Sequence, residues 1–155
     1  MLYRLYTLED FAPLYAIEEV CFQPPFRFGR RYMRKLVESR TAATWIAEED
    51  RRMAGFAIVE WAQEVGGVNA YIQTIEVVPE WRGQGVGGEL LRRVESSARG
   101  ARALWIWLHV DVGNAAAIRL YEANGYRNEG REEDFYSLGR AALIYGKPLE
   151  AGSAS

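Results

Sequence analysis

Three consecutive stretches in the first half of the chain constrain the fold most. TAATWIAEE (41–49), MAGFAIVEWAQE (53–64) and NAYIQTIEVVP (69–79) are rich in the β-branched and aromatic residues that favour strands. Only the short turns DRR and VGG separate them. Parallel neighbours need a connection of a dozen residues or more, so strands joined this closely pair antiparallel. The sequence therefore predicts an antiparallel meander.

Helices and further strands are predicted on both sides of the meander. The helices show apolar periodicity and caps, and Pro24 and Pro25 end the first of them in a loop. In chain order, the other predicted elements are a strand over LYRLY, a helix over LEDFAPLYAIEEVCF capped by Thr7, a helix from Arg30 to Ser39, a helix from Gly85, a strand over ALWIWLHVDV, a helix over NAAAIRLYEANGY, and strands over YRNEGREEDFY and AALIYGKPL. The order β-α-α-β-β-β-α-β-α-β-β predicts an α/β fold with a mixed, mostly antiparallel sheet and helices on both faces.

Length and composition narrow the possible functions. A chain of 155 residues fits one domain, expected over residues 1–149, followed by a polar tail, 150–155, that is expected to be disordered. The formal charge is −2 and the basic residues are dispersed, so we expect neither nucleic acid nor a membrane as partner. One cysteine, Cys21, and one histidine cannot form a Cys/His zinc cluster, so no metal is expected. The start, MLYRLYTLEDF, lacks a signal-peptide pattern, which favours a cytoplasmic protein, either monomer or homodimer.

The run RGQGVGGEL, residues 82–90, is the densest in glycine. Gly83, Gly85 and Gly88 fit the G-x-G-x-x-G pattern of dinucleotide-binding turns, but PEWR separates the preceding strand from the glycines and Asp111 lies too far along for the acidic partner. A nucleoside triphosphate loop would need a lysine where Glu89 stands. An ordinary turn rarely needs four glycines before a helix. The run therefore indicates a helix N-terminus whose free amides, with the positive charge of Arg82, bind a diphosphate.

The pattern Arg82-x-x-Gly85-x-Gly87 after IEVVP resembles the acetyl-coenzyme A signature of the GNAT N-acetyltransferases, and the resemblance extends from Thr7 to Leu149. It implies the GNAT fold, with a splayed pair of parallel strands, and acetyl-coenzyme A as cosubstrate. It further implies that the strand pairs with the pantetheine arm and that the amide of Val77 polarises the thioester carbonyl. The cofactor-binding residues that it implies are Ile75, Val77, Arg82, Gly83, Gln84, Gly85, Val86, Gly87, Gly88, Asn114 and Tyr121.

Two side chains are candidates for the proton transfers. Tyr121 follows Asn114 by two helical turns and matches the family's general acid, although an LY pair in an amphipathic helix is often core. His109, the single histidine, has an ordinary pKa of ~6.5 that suits a base at neutral pH, although a lone histidine in a strand is usually structural. Strand alternation places it on one face with Trp105, Trp107 and Asp111. Glu76 is the alternative base.

The residues around His109 bear on the acceptor. LHV, with YIQTIEV beginning at Tyr71, resembles the eukaryotic protein N-terminal acetyltransferases, where the matching histidine and tyrosine handle the amine proton through water. The bacterial ribosomal-protein alanine acetyltransferases, which the chain otherwise resembles, carry glutamate in place of His109 and an acidic pair near Arg140 that is missing here.

We therefore expect a protein N-terminal amine as acceptor. FQPPFRF and the loop DFYSLGR would wall its entrance, with Phe22, Phe26 and Tyr136 as the candidate contacts. A small-amine or antibiotic acetyltransferase is the alternative enzyme, and a non-catalytic acetyl-coenzyme A sensor is the alternative outside catalysis.

Overall fold

The computed structural model describes residues 1–150, which form one seven-stranded sheet with helices on both faces. The strands are β1 (Leu2–Leu5), β2 (Ala42–Glu49), β3 (Arg52–Glu64), β4 (Gly67–Val77), β5 (Ala103–Asp111), β6 (Arg127–Ser137) and β7 (Arg140–Pro148). The helices are α1 (Phe11–Cys21), α2 (Arg30–Glu38), α3 (Val86–Gly100) and α4 (Ala115–Ala123). The predicted element order and fold class are confirmed.

The sheet has the strand order β1-β2-β3-β4-β5-β7-β6. Neighbouring strands are antiparallel except for β4 and β5, which are parallel. The meander predicted from the closely spaced strands is therefore the β2-β3-β4 part of the sheet.

Most predicted boundaries lie within a few residues of those in the structure, and two segments differ in the kind of structure they adopt. A 3₁₀ turn, Leu8–Asp10, precedes α1, and within it the Asp10 carboxylate accepts a hydrogen bond from the backbone N–H of Thr7 (2.7 Å). The segment DFYSLGR is not an open loop: β6 continues to Ser137 and a tight turn leads into β7 at Arg140. The tail prediction concerns residues that, from 151 onwards, lie outside those described.

Each face of the sheet buries its own apolar cluster. An apolar stripe on α3, including Val86, Leu90, Leu91 and Val94, packs with part of α4 on one face. On the other face α1 and α2 bury Leu14, Ile17, Met33 and Leu36 against Ile46, Phe56 and Ile58. The sheet is thus the middle of three layers. Alternate residues of a strand face either the α3–α4 side or the α1–α2 side.

A bulge in β4 changes which face its side chains meet. Thr74 pairs with Ile58 and Ile72 pairs with Val59, so Gln73 is an extra residue in β4. Before the bulge Ile72 belongs to the α3 cluster, whereas after it Glu76 lies opposite Phe56 of the α1–α2 cluster. Ile75 and Val77 therefore face the α3 and α4 side.

The parallel pair separates beyond this point. Pairing of β4 with β5 runs from Val68↔Ala103 to Tyr71↔Trp107. The N–H of Val78 donates to the carbonyl of Ala54 in β3 (2.9 Å), and hydrogen-bond direction alternates along an antiparallel ladder. The N–H of Val77 therefore points away from β3, into the gap between β4 and β5.

Candidate active site

The glycine turn opens a cavity at the start of α3. Gly83 and Gly85 have φ values of 75° and 84°, in the left-handed region that favours glycine. The first turn of an α-helix leaves its N–H groups without intrahelical partners. Val86, Gly87 and Gly88 form that turn and line a cavity of about 620 Å³. The free backbone amides predicted at the start of α3 thus border a cavity large enough for a bulky ligand.

Two members of the glycine run are held in ways that the sequence did not predict. The Nε of Arg82 donates to the carbonyl of Val77 (2.9 Å), and its Nη2 lies 3.5 Å from the sulfur of Cys21. The guanidinium therefore joins the end of β4 to the turn as well as lining the cavity. The side-chain amide of Gln84 donates to the carbonyl of Glu80 (3.0 Å), and Gln84 does not line the cavity, whereas the other predicted residues from Arg82 to Gly88 do.

A second cavity of about 320 Å³ meets the first from the α1–α2 side. Both cavities are lined by Phe22, Ile75, Asn114, Ala117 and Tyr121. The separation of β4 from β5 therefore joins the glycine turn to a chamber on the opposite side of the sheet.

Tyr121 lies where the cavities meet. It is 6% exposed, its ring packs edge-on against Tyr126 at 5.6 Å, and burial raises its pKa well above the usual value of a phenol. The phenol is therefore protonated at neutral pH, as a general acid must be. Asn114 caps α4, since its Oδ1 accepts from the N–H of Ala117 (3.2 Å), and it also lines both cavities.

His109 and Tyr71 contact each other in the smaller cavity. Nδ1 of His109 and the hydroxyl of Tyr71 are 2.7 Å apart. The imidazole stacks on Phe135 with ring centres 3.8 Å apart, and Trp107 packs edge-on at 5.2 Å, as strand alternation predicted. Burial lowers the pKa of His109, against an opposing effect of the Glu132 carboxylate. The imidazole is therefore neutral at neutral pH and able to accept a proton.

Glu76 has a different environment. It is 2% exposed, accepts a hydrogen bond from the hydroxyl of Thr74 (2.8 Å) and lies near the fully buried Glu18 on α1. Burial first, and the neighbouring Glu18 second, raise the pKa of Glu76 well above its usual value. The raised pKa of Glu76 favours the protonated carboxyl, whereas His109 is neutral and lines the smaller cavity together with Tyr71.

Aromatic residues wall the smaller cavity. Phe26 and Tyr136 contact edge-to-face at 4.8 Å and so connect the α1–α2 loop to the β6–β7 hairpin, while Arg140 lies over Phe26 at 5.1 Å. Phe22 lines both cavities. The three predicted wall residues thus come together. The sequence analysis did not name Phe28, Tyr32, Gln73 and Phe135, which lie on the same wall. Phe28 lies within FQPPFRF and Phe135 within DFYSLGR, so the two predicted wall segments were the available signal for these two residues.

Two classes of feature are missing from residues 1–150. No group of three or more His, Cys, Asp or Glu side chains is placed to hold a metal ion. No helix in this part of the chain is long and apolar enough to cross a membrane.

Comparison with known proteins identifies relatives. The model of the acetyltransferase (GNAT) family matches residues 6–126. A Bacillus subtilis (strain 168) protein, provisionally named ribosomal protein bS18-alanine N-acetyltransferase, is 30% identical over 142 residues, 91% of each chain. Streptothricin acetyltransferase of Streptomyces lavendulae is 36% identical over 118 residues, 72% of this chain and 59% of the relative.

A solved structure shares the fold. The crystal structure of Arabidopsis thaliana NAA60 in complex with acetyl-CoA superimposes with a TM-score of 0.86 at 21% identity, covering 96% of this chain and 98% of the other. The resemblance stated from Arg82, Gly85 and Gly87 is thus confirmed. The chain belongs to the acetyltransferase (GNAT) family and is an acetyl-coenzyme A-dependent N-acetyltransferase.

Proposed function

We propose that the protein transfers the acetyl group of acetyl-coenzyme A to the N-terminal α-amino group of a protein or peptide. The observation that carries the proposal is the His109–Tyr71 pair, 2.7 Å apart in the aromatic-walled cavity on the far side of the sheet from the glycine turn. The relative named as a ribosomal protein bS18-alanine N-acetyltransferase supports the same acceptor class.

The cofactor would lie in the larger cavity, where the amides of Val86, Gly87 and Gly88 converge on the diphosphate with Arg82 beside them. Gly83, Gln84 and Gly85 contribute the backbone of the turn, and Ile75 faces the pantetheine arm. Bound there, acetyl-coenzyme A supplies an electrophilic carbonyl and a thiolate leaving group. The N–H of Val77 donates to the carbonyl oxygen as negative charge develops on it.

Tyr121 and His109 carry the two proton transfers. The phenol of Tyr121 donates its proton to the leaving sulfur, and a phenol held in its protonated form by burial is suited to this step. The imidazole of His109, through Tyr71 or an intervening water, takes the proton from the incoming amine. The two groups act from opposite sides of the gap between β4 and β5.

The strength of the base restricts the acceptor. An N-terminal amine has a pKa of ~8 and a lysine side chain ~10.4. Because burial holds the pKa of His109 below its usual value, the imidazole is a weaker base than an exposed histidine. It can take a proton from an α-amino group far more readily than from lysine. Phe22, Phe26 and Tyr136 would surround the first residues of the acceptor.

An acceptor screen tests the proposal. Peptides with free N-termini should be acetylated, while the same peptides blocked at the N-terminus but carrying lysine should react poorly. Activity should fall as the pH drops through the lowered pKa of His109, because the imidazolium cannot accept a proton. Faster reaction of blocked lysine peptides or polyamines would overturn the N-terminal acceptor and make Glu76 the next base to test.

One comparison favours a second acceptor class. The 36% identity to streptothricin acetyltransferase supports a small-molecule amine, such as an antibiotic, as the alternative acceptor. Streptothricin and polyamines therefore belong in the same screen. A cavity of about 320 Å³ would admit either the first residues of a peptide or part of such a molecule.

A further inference from the structure

The proposed mechanism uses only one ring nitrogen of His109, Nδ1, and assigns no role to the other, Nε2. The side chain is 9% exposed, and its Nε2 has no hydrogen-bond partner of good geometry among residues 1–150. One carboxylate oxygen of Glu132 lies 3.3 Å from Nε2, within ion-pair distance but at an angle that does not complete a hydrogen bond. Glu132 is half exposed, so a small rotation can complete the bond.

We propose that Glu132 is a positioning residue that holds His109 as its Nε2–H tautomer, with the lone pair of Nδ1 directed at the hydroxyl of Tyr71. The proposal rests on the proposed function for its catalytic meaning and names a residue that neither the sequence nor the comparisons single out.

The geometry favours this tautomer over the other. A neutral imidazole has one donor and one acceptor nitrogen. If Nδ1 carried the proton, the lone pair of Nε2 would face the carboxylate of Glu132 and be repelled by it. With the proton on Nε2, the carboxylate attracts it and Nδ1 accepts from Tyr71 across 2.7 Å. Stacking on Phe135 and the edge of Trp107 limit rotation of the ring.

The sheet brings Glu132 to His109 across an intervening strand. Glu132 lies on β6 opposite Ala142 of β7, and Ala142 in turn pairs with Asp111 of β5, two residues beyond His109. The small side chain of Ala142 lets Glu132 reach over β7. The pairing of β6 with β7 is irregular between Glu132 and Ser137, so the backbone after Glu132 is not held in a regular ladder.

Other charged or titratable groups near His109 have partners of their own. On its own strand, Asp111 pairs with Arg140 of β7 (3.0 Å). From β3, Glu60 accepts a hydrogen bond from Gln73 of β4. From β4, Tyr71 is neutral because burial raises its pKa. Glu132 of β6 is the charge that acts directly on the imidazole.

The proton transfer balances with these groups alone. The ammonium group of the acceptor gives a proton to the oxygen of Tyr71, which forms a new O–H bond as its original O–H proton moves to Nδ1. One N–H bond breaks at the amine and one forms at His109, and Tyr71 ends neutral. The imidazolium gains one positive charge next to the negative charge of Glu132, and it later releases its proton to water.

Nitrogen-15 NMR tests the proposal directly, because His109 is the single histidine and its ring signals are unambiguous. The wild-type ring should show protonated Nε2 and acceptor Nδ1. In Glu132→Ala the two tautomers should mix, and in Glu132→Gln the pKa of His109 should fall, since the stabilising charge is gone. Glu133→Gln is the matched control, because Glu133 is the adjacent acid and bonds Arg131 instead.

The same variants give a kinetic readout. For Glu132→Gln the acid limb of the kcat/KM profile should move to lower pH together with the NMR titration, and kcat should fall by ~10-fold, part of a typical general-base contribution. An unchanged tautomer and pKa in both Glu132 variants would overturn the proposal. If free N-termini fail as acceptors of the wild-type enzyme, the proposed function fails, yet the NMR result still decides the role of Glu132.

Discussion

Tyr121, the proposed general acid, lines both cavities of the site. Its side chain is buried, and burial keeps the phenol protonated. The ground state of the bound cofactor gains little from a donor that acts on the departing sulfur. Loss of the Tyr121 hydroxyl should therefore lower kcat and leave the affinity for acetyl-coenzyme A nearly unchanged.

Replacing Tyr121 with Phe should lower kcat by ~10²- to 10⁴-fold while the affinity for acetyl-coenzyme A changes little, because the variant keeps the ring and loses only the proton donor. Turnover assays measure kcat, and calorimetric titration with acetyl-coenzyme A in the absence of acceptor measures the affinity. Tyr126→Phe is the matched control, since that phenol bonds Glu95 on the other side of the ring pair (2.7 Å). Wild-type turnover in Tyr121→Phe would assign the residue to packing.

Two glycines at the start of α3 contribute to the site in different ways. Gly85 needs its left-handed backbone, whereas Gly87 lies within the helix, where an added Cβ would contact Leu120 at 3.5 Å and Val77 at 3.8 Å, both residues of the cavity lining. A side chain at Gly87 is thus compatible with the helix and projects into the space assigned to the cofactor.

Gly87→Val should therefore fold and weaken acetyl-coenzyme A binding on the order of 100-fold, about 2.7 kcal/mol. Gly100→Val is the control at the other end of the same helix, where an added Cβ meets nothing within 4 Å. Calorimetry measures the affinities and circular dichroism checks the folding of both variants. Equal affinities in two folded variants would remove α3 from the cofactor site.

At the scale of secondary-structure elements, the sequence was sufficient to predict most strands and helices but not the contacts between them. Local patterns such as the alternation in β5 and the glycine run before α3 are sufficient to predict a strand or a helix start. The bulge at Gln73 depends on register with β3, and the approach of Glu132 to His109 depends on two strand pairings between distant segments. A single sequence carries no signal for such registers. Tyr71 and His109 were identified together only through the resemblance to a family.

At the scale of the whole molecule, a buried acid pair joins the helical layer to the sheet. Glu18 of α1 and Glu76 of β4 are 0% and 2% exposed, and in each the Oε1 atom has no hydrogen-bond partner within the described part of the chain. Glu18 also accepts from the N–H of Phe28 (2.9 Å), which holds the α1–α2 loop. A proton on the Glu76 carboxyl can be donated to the carboxylate of Glu18, the neighbour that helps to raise the pKa of Glu76.

Stability should therefore depend on pH through Glu76. Its pKa is raised in the folded state, so the folded protein binds more protons than the unfolded chain once the pH exceeds the unfolded value of ~4.3, and the free energy of unfolding falls as pH rises. Glu76→Gln, which keeps a donor toward Glu18, should flatten this decline. Urea unfolding at several pH values between 5 and 8 measures it, with the exposed neighbour Glu19→Gln as control. Parallel profiles for the wild type and Glu76→Gln would show that Glu76 does not cause the decline in stability.

The meeting of the two cavities at Tyr121 also bears on whether the acetyl group passes directly from the cofactor to the acceptor. Because the chambers open on opposite sides of the sheet and share their lining at Phe22 and Ile75, both substrates can be bound at once and the acetyl group needs no resting place on the protein. In double-reciprocal plots of initial rate against acetyl-coenzyme A, the lines for several fixed acceptor concentrations should intersect. Parallel lines would instead indicate an acetylated enzyme intermediate, with Cys21 in the larger cavity as the residue that carries the acetyl group. A peptide joined covalently to coenzyme A should bind much more tightly than either part, since the second contact becomes intramolecular.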